Sequence, residues 1–503
     1  MTSLLQDVQR RLEDPTIEWQ ALMVGIIIAV TVFETYINVR QRPFLDSRLF
    51  PTLPQTLAPY LPASTAQDNY HKSQRYSLDK LAYSSSINLI DLVESIVLLT
   101  GISAPVLTVL GIDLGQPATL GQTRFASDKL STKLYELLGV GHDGNWTLLK
   151  GFWNLAGRSQ FAAASPLRHS LAFVACMSLV SAILSIPKGL YSNFVLEQKH
   201  GFNKMTVKTF FGDAVKGLLV SLAIELPFLA AILKLIERIG GSGILRLVAW
   251  LLAVIFAFQI IMIPTYPYLI APLFNKFTPL ATDSPVYPKA KALADRLEFP
   301  LGRIWVIDGS KRSSHSNAYF YGLPFLTKHI VLYDTLLEKS SPEEIEAVLA
   351  HELGHWKHGH IVILLAVSLI QLSFSLLTFS LLLFNRSLLA AFGFSTNQFP
   401  NSQTGPIIVS LLLASLLFAP VSTILHFVMN MISRALEYDA DKFASKLGAD
   451  VASNLKGALV SLHEKNLALT LTDPLYSAYK NSHPTLIERL DALDKAIDKK
   501  KSN

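Results

Sequence analysis

The chain has 503 residues, half of them hydrophobic and only 16% charged, with a formal charge of +6. Soluble domains carry about 25% charged residues, so this composition argues against a water-soluble enzyme and for a polytopic membrane protein. No basic run is longer than Lys499–Lys501, which argues against a nucleic-acid partner, and the single cysteine, Cys176, excludes intramolecular disulfides and any cysteine-based zinc site.

Residues 1–16 are polar, with Asp7, Glu13 and Asp14, and no short apolar core ends in a small-residue cleavage site. The first apolar stretch is therefore expected to stay in the protein as a span. Crossing a bilayer takes about 20 apolar residues. Seven stretches qualify: 18–37, 85–110, 169–188, 213–236, 244–266, 361–384 and 406–430, the second and fifth interrupted by Gly or Pro at their ends. Glu34, Asp91, Glu94, Glu225 and His426 lie within them. Ionisable groups facing lipid are costly, so these are expected to face neighbouring helices or a wet interior. The chain thus divides into five spans with their loops (1–276), a polar region (277–360), two further spans (361–430) and a second polar region (431–503).

The first polar region opens on a helical pattern, Pro288–Leu297, followed by two short strand patterns, Arg303–Asp308 and His329–Tyr333. Asn317–Gly322 reads as another strand between them. Ser341-Pro342-Glu343-Glu344 predicts a helix start: Ser341 can cap, Pro342 suits the first turn and Glu344 completes a capping box. That helix runs into His351-Glu352-Leu353-Gly354-His355. Residues four apart share a helix face, so both imidazoles can bind one zinc ion, with Glu352 placed as the general base for an attacking water. Zinc needs a third protein ligand. Glu437 supplies the candidate, with Asp441 one turn on to accept the free N–H of a ligand histidine and set its tautomer. His358 and His360 read as interfacial or supporting histidines. His483, in Ser482-His483-Pro484, is a candidate donor to the oxyanion formed when water attacks a peptide carbonyl. The Asn317, Ala318, Tyr319 strand is a candidate binding edge for an extended peptide.

These residues sit within longer stretches that carry a resemblance over nearly the whole chain: Phe33–Gln41, Tyr191–Lys204, Ala271–Phe277, Gly309–Tyr319, the two metal motifs and Ser482–Pro484, with Thr485 departing from a frequent second proline. The sequence resembles the type I CAAX prenyl proteases, integral-membrane gluzincin zinc metallopeptidases. The resemblance implies an α-helical polytopic membrane protein whose seven transmembrane helices enclose a hydrated chamber. A cytosolic gluzincin-type zinc protease domain with a small β-sheet would stand at one end. It implies one Zn2+ per chain and prenylated CaaX-box proteins as substrates, cut to remove the last three residues. In fungal members it also implies a second, upstream cut in a mating-pheromone precursor.

A membrane quality-control protease of the same zinc chemistry is the nearest alternative. An intramembrane protease would bury its motif in an apolar helix, whereas Glu343, Glu344, Glu346, Lys357 and His358 surround this one. The expected setting is the endoplasmic reticulum membrane, with the inner nuclear membrane as a second location and lipid as a partner; a monomer is expected. Seven spans put the termini on opposite sides. Lys500-Lys501-Ser502-Asn503 reads either as a cytosolic retrieval signal or as a solvated basic tail. Basic residues of the first and third loops give partial support to a cytosolic C-terminus, while the second loop, also basic, is long and such loops follow the charge rule poorly. The sequons at Asn145 and Asn385 fall in loops this topology places in the lumen, Asn145 being the informative one.

Overall fold

The computed structural model describes residues 2–61, 64–100, 147–240, 243–322, 327–394 and 406–501. A short amphipathic helix, α1 (Thr2–Leu12), precedes α2 (Trp19–Gln41) and α3 (Ala66–Thr100). After α4 (Leu148–Gly157) come α5 (Pro166–Tyr191), α6 (Val207–Ile239) and α7 (Ile244–Thr265). Helices α2, α3, α5, α6 and α7 are each long and apolar enough to cross a membrane.

The chain then builds β1 (Phe277–Pro279), α8 (Val286–Leu297), β2 (Leu301–Ile307), β3 (Ala318–Tyr321) and β4 (Lys328–Tyr333). Next are α9 (Pro342–Lys357) and α10 (His360–Leu382), the latter a sixth membrane-length helix. Helices α11 (Ile407–Leu417) and α12 (Ala419–Leu447) meet at a 60° bend and are long and apolar enough for a seventh span only when taken together. Pro420, in the first turn of α12, has no N–H to continue the hydrogen bonding of α11. Three helices complete the chain: α13 (Ala449–Lys465), α14 (Pro474–Lys480) and α15 (Leu486–Lys501).

Over the described residues the spans read from the sequence match these helices, overrunning them by at most two residues, with one instructive difference. The second begins at Ala66, well before residue 85, because its polar first half (Asp68, Lys72, Arg75, Asp79) is helical yet not apolar. Hydropathy registers only the lipid-crossing part of such a helix. Residues 101–110 of that stretch, and the Asn145 sequon, lie outside the described residues.

Two apolar cores organise the molecule. The membrane core gathers Trp19 and Met23 at the start of α2, Leu99 at the end of α3, Phe173 near the start of α5, Ile236 near the end of α6, and Phe379 near the end of α10. All of these come from one end of their helices. Elsewhere the spans bury little: only 6–17% of each single span's apolar window is buried. The spans are therefore buried mainly at their ends: besides this core, α2 is buried again at Ile37, Asn38 and Gln41 and α3 at Tyr70 and Tyr76, while the lengths between contribute little buried surface.

The second core belongs to the body outside the spans, below called the catalytic body for the histidines it carries, and joins pieces far apart in sequence. Leu293 of α8, Ile304 of β2, Ile330 and Leu332 of β4, Leu349 and Leu353 of α9, Ala444 of α12, Leu455 of α13 and Leu493 of α15 pack together. The sheet order is β1-β2-β4-β3, with β2 and β4 parallel and the outer pairs antiparallel. The helix and three strands expected between 288 and 333 are present; the short edge strand β1 carried no sequence pattern of its own. At the opposite edge lies β3, which packs against α9.

Candidate metal centre

The capping box opens α9 as its residue types demand: Ser341 Oγ accepts from Glu344 N at 3.1 Å, and Glu344 Oε2 accepts from Ser341 N at 2.9 Å. Ile345, Leu349 and Leu353 are buried in the catalytic core, which fixes the rotation of the helix. His351 and His355 then project together toward α12. Gly354 permits the approach: a Cβ there would lie 3.2 Å from the Ala440 carbonyl oxygen and 3.0 Å from the Phe443 ring. Any side chain at 354 would drive α9 and α12 apart.

Across that close contact three side chains converge. His351 Nε2 and His355 Nε2 stand 3.2 Å apart. Glu437 Oε1 lies 3.2 Å from His355 Nε2, and Oε2 lies 3.4 Å from His351 Nε2. Donors at about 2.0–2.1 Å from a tetrahedral zinc are separated by about 3.3–3.4 Å; the imidazole pair stands near that spacing, each Glu437 oxygen reaches it with one of the two rings, and one donor atom from each residue lies within 4.8 Å of the others, so the set can surround one metal position. Glu437 is buried, and its Oε2 meets no hydrogen-bond donor with suitable geometry. A buried carboxylate oxygen left over in this way is costly without a cation beside it. Two neutral imidazoles and a carboxylate are also a donor set that suits zinc.

Surrounding groups hold these three. Asp441 Oδ1 sits 2.9 Å from His351 Nδ1, and Arg489 clamps Asp441 through both carboxylate oxygens at 2.6 and 2.8 Å. Burial disfavours a charged His351 ring, but the Asp441 and Glu437 carboxylates outweigh it and raise its pKa to about 9. Glu352 is half-buried, and burial raises its pKa above the usual carboxylate range. His483 is exposed, with Nδ1 2.9 Å from Glu437 Oε2. Its segment is anchored from behind by Arg434, which donates to the His483 carbonyl at 3.3 Å and to both Glu488 oxygens at 2.9 and 3.0 Å.

The structure thus brings His351, His355, Glu437, Asp441 and His483 to one place, with Glu352 beside the ligand pair on α9. Asn317 stands at the start of β3, its carbonyl accepting from Tyr333 N at 3.1 Å, while Ala318 and Tyr319 lie on the edge strand, paired with β4 on one side only. His360 touches His355, although a continuous helix would have carried it off that face. Gly359, at φ 67°, breaks the helix between them. Asn385 is buried and caps the following helix, accepting from Leu388 N at 2.7 Å.

Arg489 and Arg434 were not singled out from the sequence. A signal for Arg489 exists. Leu486, Leu490 and Leu493 form a buried stripe on α15, and Arg489 falls on the same face, where a charge requires a partner.

Fold and site together define a polytopic membrane metallopeptidase, with its metal centre in a catalytic body assembled from two separate stretches of chain. Comparison with known proteins agrees in both halves. Residues 144–276 match the family model described as the CAAX prenyl protease N-terminal region, five membrane helices, and residues 281–497 match peptidase family M48. The chain belongs to the CAAX prenyl protease family within the M48 metallopeptidases. It is 36% identical to CAAX prenyl protease 1 of Saccharomyces cerevisiae, covering 99% of this chain and 100% of that one. The Arabidopsis thaliana CAAX prenyl protease 1 homolog is 37% identical over 95% of this chain and 98% of its own. Among solved structures, the crystal structure of S. mikatae Ste24p superposes with a TM-score of 0.79 at 35% identity, covering 95% of this chain and all of that one.

Proposed function

We propose that this CAAX-processing protease is a zinc endopeptidase that removes the last three residues of prenylated CaaX proteins and makes a further upstream cut in a mating-pheromone precursor. The convergence of His351, His355 and Glu437 beside Glu352 carries the chemistry. The full-length similarity to CAAX prenyl proteases carries the substrate class.

His351, His355 and Glu437 hold the zinc, and Asp441, braced by Arg489, orients His351. When bound, zinc polarises the scissile carbonyl and acidifies water. Glu352 takes the proton of the attacking water and delivers it to the leaving amine; the environment that raises its pKa suits both halves of that task. His483 faces the developing oxyanion with Nε2, its Nδ1 side being turned toward Glu437. The free edge of β3 at Asn317, Ala318 and Tyr319 pairs with an extended peptide and delivers it to α9.

The end-packed helices support a hydrated chamber bounded by the spans, with the catalytic body closing its cytosolic end. Residues 277–360 and 431–503 form that body, and 1–276 and 361–430 form the membrane part. The enzyme acts as a monomer in the endoplasmic reticulum membrane, with a lumenal N-terminus. Mass spectrometry of products from a farnesylated CaaX peptide, with and without a chelator, tests this reading. Release of the intact tripeptide, blocked by chelation, is expected. Equal cleavage of an unprenylated peptide would favour a general quality-control protease.

A further inference from the structure

We infer that His360, held in turn by Asp439, fixes the tautomer and orientation of His355, so that the two ligand histidines are braced by two different carboxylates. This rests on the reading of His355 as a metal ligand. His355 presents Nε2 to His351 and Glu437, and its Nδ1 faces the other way, 2.8 Å from His360 Nδ1. Two ring nitrogens at that separation share one proton, one donating and the other accepting.

The proton positions follow from the ligand role. An imidazole that gives its Nε2 lone pair to a metal keeps its ring proton on Nδ1. His355 Nδ1–H therefore donates, and His360 Nδ1 accepts. His360 then carries its own proton on Nε2, which lies 3.2 Å from Asp439 Oδ2 and donates to it. Each ring holds one proton and each proton has one acceptor. His358 Nδ1 contacts the same Asp439 oxygen and anchors it from the solvent side.

The same bookkeeping argues against a second cation at this place, although His358, His360 and Asp439 donors also converge. A cation would need the lone pair of His360 Nε2. The ring proton would then move to Nδ1, where it would face His355 Nδ1–H across 2.8 Å. A metal at His355 thus disfavours one at His360. The αL turn at Gly359 makes the contact, since it folds the start of α10 back over the end of α9.

The test combines metal affinity, measured by chelator competition, with proton NMR of the cobalt-substituted full-length enzyme in detergent. Wild type is expected to bind one cobalt and to show two solvent-exchangeable, hyperfine-shifted Nδ1–H resonances, one from each ligand histidine. His360→Ala should weaken zinc binding by about 10–100-fold and lose one resonance, leaving that of His351. His360→Asn, whose Oδ1 can accept in place of Nδ1, should restore most of the affinity. Asp439→Asn, at a side chain 44% exposed and therefore tolerant of change, should weaken binding less than His360→Ala in the same direction. Unchanged affinity and both resonances in His360→Ala would overturn the proposal and leave His360 as a helix-start residue. A second equivalent of metal removed by His358→Ala would overturn it as well. A wild type that binds no cobalt would overturn the ligand reading itself, and this inference with it.

Discussion

In the membrane bundle, Lys188 of α5 lies 2.7 Å from Asp91 and 2.8 Å from Glu94 of α3. Glu34 of α2 likewise meets Lys480 and Tyr479 of α14, and Arg40 binds Asp473 through both oxygens at 2.9 and 3.1 Å. Each is a self-contained brace between two elements, with every charge facing an opposite one. The catalytic body arranges charge differently. Glu437, Asp441, His351, His355, His483 and Arg489 all crowd one point, and Glu437 keeps an oxygen without a hydrogen bond. Matched pairs cancel and hold helices together, whereas a converging, unbalanced set retains an affinity for a cation.

This contrast predicts steep losses at the site and small ones in the bundle. The largest expected effect is that of Glu352→Gln, which should cut turnover by about 10⁴-fold, the upper end for a positioned base, while metal content stays at the wild-type level. Metal analysis beside activity checks both halves, and substantial turnover would remove Glu352 as the base. Glu437→Ala should next strip metal from the purified enzyme, because it removes a ligand rather than a support. His483→Ala should retain metal and lower kcat by about 10²–10³-fold with little change in KM; an effect on KM alone would recast it as a substrate-positioning residue.

Smaller effects sharpen the comparison. Asp441→Ala should weaken zinc by about 10–100-fold, less than Glu437→Ala, and the reverse order would exchange their roles. Against the opposing effect of burial, Asp441 and Glu437 raise the pKa of His351 to about 9. Metal must displace that proton at any lower pH, so affinity should fall by roughly tenfold per pH unit below about 9. Titration calorimetry in buffers of different ionisation enthalpy counts the proton released; none at pH 7 would contradict the raised pKa. In the bundle, Lys188→Met should leave kcat unchanged and cost at most about 1 kcal/mol, since its partners are partly exposed. Thermal unfolding in detergent measures that cost, and a large loss of activity would erase the distinction between the two regions.

Much of this is legible in the residues alone. Spans declare themselves by composition, because moving about 20 apolar residues into hydrocarbon is favourable wherever they fall in the chain. Ser341, Pro342 and Glu344 announce a helix start, because capping is settled within one turn. His351, Glu352 and His355 are related by the pitch of the helix they share, so their common face follows from spacing alone. The polar half of α3 escaped because helix and hydropathy part company there, and β1 because three residues at a sheet edge carry no period.

What the sequence by itself determined are the relations carried by local hydrogen bonding and by transfer energy: the spans, three of the four strands of the sheet and the histidine pair on one helix. Only the tertiary structure decided which distant groups meet that pair. Gly354 lets α12 approach and sets Glu437 against the histidines; the rotation of α15 turns Arg489 onto Asp441; Gly359 folds His360 back onto His355. Such contacts depend on how buried faces pack and on a single reversed φ angle. Neither leaves a spacing in the chain, because side chains far apart in sequence are brought together by the cores on either side of them rather than by the residues between.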